Sequence, residues 1–165
     1  MPTYTAISTT TVGAGGAADI TFSSIPASYT NLVVKLSVRD ATASPGTWIK
    51  LTFNGNTSSY SNKYMEGNGS SISSGTAAAE WAGTSTSNTA TANTFSNIEI
   101  YIPGYTSSKN KSWYTSSYSD NNATTAYTGI GAGLWANSSA ITSIKLAPNN
   151  GSNFSQYSTA TLYGV

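Results

Sequence analysis

The chain has 165 residues, of which 8% are charged, and a formal net charge of +1. This length favours a single domain, 1–165, with a substantial core. Nucleic acid is not an expected partner, because phosphate binding needs clustered Lys and Arg and the seven here are dispersed. The chain has no cysteine and no histidine, which excludes disulfides, thiol chemistry and the usual general base.

Strand-like runs begin near the start of the chain. Residues 3–8 are predicted to form a short strand, and a glycine-rich turn follows at 12–17. Residues 20–39 contain two further runs joined by a turn at 26–31. In the second run apolar and polar residues alternate: Leu32, Val34, Leu36 and Val38 against Lys35, Ser37 and Arg39. This period of two predicts a strand with one face in a core and the other in water.

The middle of the chain gives weaker signals. Residues 48–53 are predicted to form a strand that closes on Asn54-Gly55, a strong hairpin signal. Residues 57–93 are rich in Gly, Ser, Thr and Asn, and we expect an irregular arm or long loop there. Short strands around residues 60–65 and 77–82, or one helical turn at 77–81, are the alternatives. A long excursion of this kind is often functional.

The second half regains an alternating pattern, with strands predicted at 98–102, 111–119, 126–135, 141–146 and 158–165. In the third of these, Gly129, Gly131 and Gly133 put small residues on one face. That pattern predicts the close approach of another backbone or of a bulky aromatic side chain. Eight to ten short strands without a convincing helix predict an all-β fold. We expect an antiparallel two-sheet β-sandwich, jelly-roll-like rather than immunoglobulin-like.

The residues that could carry catalysis are few. The carboxylates are Asp19, Asp40, Glu66, Glu80, Glu99 and Asp120. No spacing marks two of them as a glycosidase pair, and we expect them on the solvated surface. The run Asp120-Asn121-Asn122 has oxygen ligands suited to calcium but is typical of an ordinary turn. We therefore predict no catalytic residue, no metal and no cofactor.

Aromatic side chains are the best candidates for binding, because they present a large apolar face with a polar tip. Such side chains suit subunit interfaces and sugar rings alike. Simple packing in the core is the alternative for each of them. The candidate interface or ligand residues are Tyr60, Tyr64, Trp81, Trp113 and Tyr118.

Two stretches carry recognisable motifs. Residues 20–34 contain an Ile-Pro-x-x-Tyr-x-x-Leu turn between two strands, and residues 158–165 end in Leu-Tyr-Gly-Val. Together with Phe53-Asn54-Gly55, these resemble virion structural proteins of tailed bacteriophages, particularly cyanophages. The resemblance covers the two ends and leaves 57–93 and 104–128 without a motif. It implies a small β-sandwich that decorates the capsid or sits on a tail fibre, usually as a trimer, and it supplies no catalytic residues.

The expected function is therefore that of a non-enzymatic virion structural protein, a capsid decoration (cement) protein that stabilises the outer shell. Its expected partners are the major capsid protein or other virion proteins and further copies in a homotrimer. The alternative is the receptor-binding tip of a tail fibre, which recognises host surface polysaccharide. Neither a signal peptide nor a membrane-spanning run is visible in the sequence. We accordingly expect synthesis in the host cytoplasm and a final place on the virion exterior.

Overall fold

The computed structural model describes residues 3–77, 80–122 and 125–165, and its regular elements there are strands. No helix in these ranges is long and apolar enough to cross a membrane. The strands are β1 (Thr5–Thr11), β2 (Ile20–Phe22), β3 (Asn31–Val38), β4 (Gly46–Phe53), β5 (Tyr60–Gly67), β6 (Ile72–Ala77), β7 (Trp81–Thr86), β8 (Ser96–Pro103), β9 (Lys111–Tyr118), β10 (Thr128–Trp135), β11 (Ile144–Pro148) and β12 (Thr159–Gly164).

The strands form two sheets. The large sheet has the order β1-β12-β3-β8-β9-β10-β5-β6, and the small sheet has the order β2-β11-β4-β7. Four antiparallel pairs are nested along the chain: β1 with β12, β2 with β11, β3 with β8, and β4 with β7. Nested pairs that alternate between two packed sheets are the topology of a jelly roll. The predicted two-sheet, jelly-roll-like sandwich is confirmed.

The remaining strands, β5, β6, β9 and β10, widen the large sheet on one side. Two of them, and β7, lie where the sequence predicted an irregular arm at 57–93, so that prediction is corrected. Strands β5 and β6 pair in continuous register from Asn62 to Gly67, and Trp81 begins β7. Of the predicted helical turn, residues 78–79 lie outside the described residues. The alternative prediction of short strands around residues 60–65 and 77–82 overlaps β5 and β7. Strand β6 was not predicted, because its residues, mainly Ser, Gly and Thr, show no apolar alternation.

The alternation in β3 has the predicted consequence. Leu32, Val34, Leu36 and Val38 are buried in the core between the sheets. On the opposite side, Lys35 is exposed and pairs with Glu99 at 3.2 Å. Arg39 departs from the expectation, because it is buried rather than solvated. The segment from Asn88 to Thr94 covers it, and four main-chain carbonyls of this segment accept hydrogen bonds from its guanidinium.

The glycine face of β10 packs on tryptophan rings, as the pattern predicted. A Cβ on Gly131 would lie 2.2 Å from Cζ3 of Trp81, and one on Gly133 would lie 2.0 Å from Cζ2 of Trp113. The glycines therefore face inward. The apolar residues between them face outward, which reverses the usual arrangement of a half-buried strand.

The two motifs that resemble virion proteins meet in the fold. A Cβ on Gly164 would lie 2.2 Å from Cγ of Tyr29, so only glycine leaves room for this ring. Main-chain N–H groups of Thr30 and Asn31 donate to the carbonyl of Val165 at 3.0 and 2.9 Å. The chain's last strand and the turn before β3 thus form one structural unit.

The Asn54-Gly55 turn exists, with positive φ at both residues, but it does not join two paired strands. It follows β4 in the small sheet, and the next strand, β5, belongs to the large sheet. The Asn54 side chain instead binds the segment 140–143, donating to the carbonyl of Ala140 and accepting from the N–H groups of Thr142 and Ser143. This turn carries the chain between sheets, so the predicted hairpin is corrected.

Candidate functional site

Three of the five aromatic candidates lie in the interior. Tyr60 is 7% exposed, and Trp81 and Trp113 are each 2% exposed. Tyr64 is half-buried, with its ring against Trp48 and Trp81. Packing is therefore the role of these residues in the structure. Among the five, Tyr118 is exposed, at 51%.

The buried aromatics attach the added strands to the jelly roll. The ring of Tyr60 stacks on Trp135 with centroids 6.0 Å apart, and Phe53 lies against both. The Tyr60 hydroxyl accepts a hydrogen bond from the Phe53 N–H at 2.8 Å. Burial, with the nearby Glu80 carboxylate as a smaller contribution, raises the pKa of Tyr60 to about 12. This cluster holds β5 and β10 firmly against the small sheet.

The outer side of the same added strands carries an exposed apolar surface, which we call the tyrosine face. Of the eight large hydrophobic side chains that are exposed in the described residues, six lie on it. Its members come from β5, β6, β9 and β10: Met65, Ile72, Tyr114, Tyr118, Ile130 and Leu134. Apolar patches of this kind commonly mark interaction sites.

A shallow groove of about 610 Å³ crosses the tyrosine face. Strand register places Ala132 between Tyr114 on β9 and Lys63 on β5. The small side chain of Ala132 leaves a low point between these neighbours. The Tyr114 ring stacks on Tyr101 of β8 at 5.2 Å, which extends the flat aromatic surface toward the centre of the sheet.

Lys63 supplies the charge in this groove. Its Nζ donates a hydrogen bond to the Thr76 hydroxyl at 2.9 Å, and no carboxylate in the part of the chain that the structure describes pairs with it. The groove therefore offers flat apolar rings beside one cation, an arrangement suited to binding.

Tyr118 is a candidate from its residue type, whereas nothing in the sequence pattern indicates a role for the exposed aliphatic residues Ile130 and Leu134. The period of two in β10 shows that the strand has two different faces but not which of them is buried. The feature that identifies the buried face is the glycine at every second position. Because glycine cannot fill a core, tryptophans of other strands must do so, and the aliphatic side chains are then left outside.

The carboxylates do not all lie in water as expected. Asp40, Glu66 and Glu80 are buried, so that expectation is corrected for these three. The Glu66 carboxylate accepts a hydrogen bond from the Thr84 hydroxyl. Asp120 accepts from the Asn122 N–H at 3.0 Å, as in an ordinary turn. Within the described ranges, no group of three or more acidic side chains could hold a metal ion.

Glu66→Gln is expected to stabilise the protein at pH 7 but not at pH 4. Burial raises the pKa of Glu66 above its ordinary 4.5, and the Thr84 hydrogen bond partly opposes this. A raised carboxyl pKa means that stability is highest below the unfolded-state pKa and falls as the pH rises through the folded-state value. Glutamine stays neutral and escapes that loss. Urea denaturation at both pH values measures the difference, and an equal gap at pH 4 and pH 7 would contradict this explanation.

Comparisons with known proteins do not assign the chain to a family. No family model matches it, and no curated protein matches it. Among solved structures, it is similar to a fructofuranosidase from Schwanniomyces occidentalis complexed with fructosylnystose, with 7% sequence identity. The match covers 99% of this chain and 34% of that one, with a TM-score of 0.24. A likeness at this level indicates neither a shared fold nor a shared activity.

Proposed function

We propose that the protein is a non-enzymatic virion structural protein, a capsid decoration protein that docks on the outer shell through the tyrosine face. The observation that carries the proposal is the collection of exposed large apolar side chains on one side of four strands. The phage-like motifs at Tyr29 and Gly164 add support, since they build the fold that presents this face. Only 8% of the residues are charged, so few charged side chains oppose such a contact.

The composition of the face favours a protein partner. Ile72, Ile130 and Leu134 are aliphatic and exposed, and aliphatic groups pack well on other proteins. The cores of protein interfaces are rich in Tyr and Met and poor in charged residues, as on this face. The shell protein is the partner we assign, and association into a homotrimer would use the same strands or their edges.

The four strands of the tyrosine face are smaller than a typical protein interface. Four strands about 4.8 Å apart, three with eight residues and β6 with six, rise about 3.4 Å per residue and give a flat footprint of roughly 500 Å². A specific interface buries about 800 Å² on each partner. The partner therefore has to reach β8 as well, where Tyr101 continues the aromatic surface.

Tyr118→Ala is expected to weaken attachment to capsid shells about tenfold or more. Tyrosine is enriched among interface hot spots, whose truncation costs about 2 kcal/mol or more, and about 1.4 kcal/mol corresponds to a factor of ten. The matched control is Tyr4→Ala. Tyr4 and Tyr118 are both tyrosines 51% exposed, but Tyr4 precedes β1, at the far edge of the large sheet. Cosedimentation with shells of the parent phage stripped of this protein measures attachment. Equal binding by the two variants and the wild type would refute docking through the tyrosine face.

A second candidate function is recognition of host surface polysaccharide by a tail-fibre tip. The groove beside Tyr114, with Ala132 as its floor and Lys63 on its far side, favours this alternative. A glycan array probed with wild type and Tyr114→Ala separates the two. Glycan binding that the substitution abolishes, without any binding to shells, would replace the decoration proposal. Shell binding without glycan binding would support it.

A further inference from the structure

A second cavity lies on the opposite side of the molecule, on the outer face of the small sheet. Its volume is about 450 Å³, within the range of about 300–1,000 Å³ typical of small-molecule sites. Its lining is polar and charged: Lys50, Thr52, Thr57, Glu80, Lys145 and Ala147. The residues come from β4, β11 and the segments beside β5 and β7.

Two lysines meet at this cavity. Strand register puts Lys145 opposite Thr52 and Ala147 opposite Lys50, so the lysines are diagonal neighbours on one face. Diagonal neighbours lie about 7–8 Å apart. Neither lysine forms an ion pair with a residue in the described ranges. Both lysines are exposed, and an anion placed between them is attracted by both charges.

Glu80 contributes the opposite charge. It is 9% exposed, and its carbonyl accepts a hydrogen bond from the Leu51 N–H, which fixes its backbone against β4. No residue that the structure describes donates a hydrogen bond to its carboxylate. Thr52 is 6% exposed, and its hydroxyl likewise has no partner in the described residues.

Buried polar groups in proteins are almost always hydrogen-bonded, and leaving one unpaired is costly. Here the Thr52 hydroxyl is such a group. The same cavity is lined by the largely buried Glu80 and by two exposed lysines. A ligand that satisfies them must carry both a negative group for the lysines and hydroxyl donors for the carboxylate. A sugar acid has both, and one such unit fits the volume.

We propose that this cavity binds an acidic monosaccharide unit, with its carboxylate between Lys50 and Lys145 and its hydroxyl groups donating to Glu80. The site lies on the other sheet from the tyrosine face. The proposal is therefore independent of the docking function, and either can fail alone.

Titration of the full chain with glucuronate, followed by NMR chemical shifts or calorimetry, tests the site. We expect saturable binding of glucuronate and none of glucose at the same concentration. Lys145→Gln should weaken glucuronate binding about tenfold, and Glu80→Gln should weaken it as well. The control is Lys109→Gln, which removes an exposed lysine that does not line this cavity. This variant should bind glucuronate as the wild type does.

Further ligands in the same titration distinguish a free sugar acid from a unit of a polysaccharide, and both from a simple anion. A polyuronate oligosaccharide that binds at least as well as glucuronate would show that the unit is taken from a polymer, and binding of the free sugar alone would still support the site. Binding of acetate or inorganic sulfate as strongly as glucuronate would overturn the proposal, because Glu80 would then have no role. Glucuronate binding unchanged in Lys145→Gln and Glu80→Gln would overturn it too.

Discussion

Gly133→Ala is expected to lower the free energy of unfolding by about 3 kcal/mol, the upper end of the usual cost of overpacking a core. The added Cβ would lie 2.0, 2.1 and 2.4 Å from three ring atoms of Trp113. That ring is 2% exposed and is enclosed by Phe53 and Tyr60. Because these distances are far below van der Waals contact, β10 or the ring must shift. Denaturant unfolding monitored by tryptophan fluorescence measures the loss.

The matched control for this substitution is Gly13→Ala. A Cβ on Gly13 would meet nothing within 4 Å, and we expect a change within about 0.5 kcal/mol. Both variants exchange the same residue types, so the propensity difference between glycine and alanine is similar in the two. Equal small losses would contradict the packing of Trp113 on Gly133. An additional test is that near-ultraviolet circular dichroism should change in Gly133→Ala alone.

The fold class could be predicted from the sequence because the alternating residues of β3 show which of its faces is buried and which is exposed. Leu32, Val34 and Leu36 lie on one face of this strand and Lys35 on the other. This pattern can be recognised in the sequence without knowing which strands pair with it. The strand order was not accessible. It depends on which distant runs pair, for example β3 with both β12 and β8, and local pattern contains no information about that choice.

The added strands show why part of the candidate site stayed hidden. In β6 the residues are mainly Ser, Gly and Thr, and the strand exists because β5 pairs with it. Tyr118 could be selected by residue type, yet the same criterion selected Trp113, which is buried. Aromatic residues suit cores and surfaces equally, and only the position of neighbouring strands separates the two roles.

The burial of Arg39 has a similar origin. A polar residue at the end of β3 is predicted to meet water, and the segment that covers it comes from a run without apolar pattern. Once folded, that segment leaves several carbonyl groups without strand partners. The guanidinium supplies up to five N–H donors in a planar array, so one side chain can satisfy them together.

Arg39→Met is therefore expected to lower the free energy of unfolding by about 3 kcal/mol and to loosen residues 88–94. The guanidinium donates to the carbonyls of Thr91, Ala90, Thr94 and Asn88 at 2.9, 3.1, 3.2 and 3.3 Å. Hydrogen bonds to charged groups contribute about 1.5–3 kcal/mol each, but the segment can swing its carbonyls into water, which limits the loss. Methionine keeps the length of the side chain and removes every donor.

Hydrogen exchange locates the effect, since the amides of Asn88 and Thr89 donate to the carbonyls of Thr42 and Ser44. Their exchange should accelerate more in Arg39→Met than the loss of global stability explains. Lys35→Met is the control on the same strand. Its exposed ion pair with Glu99 contributes at most about 1 kcal/mol, and residues 88–94 should exchange as in the wild type. If Lys35→Met loosened the segment as much as Arg39→Met, general weakening of β3 would explain both results, and the guanidinium would not be what holds the segment in place.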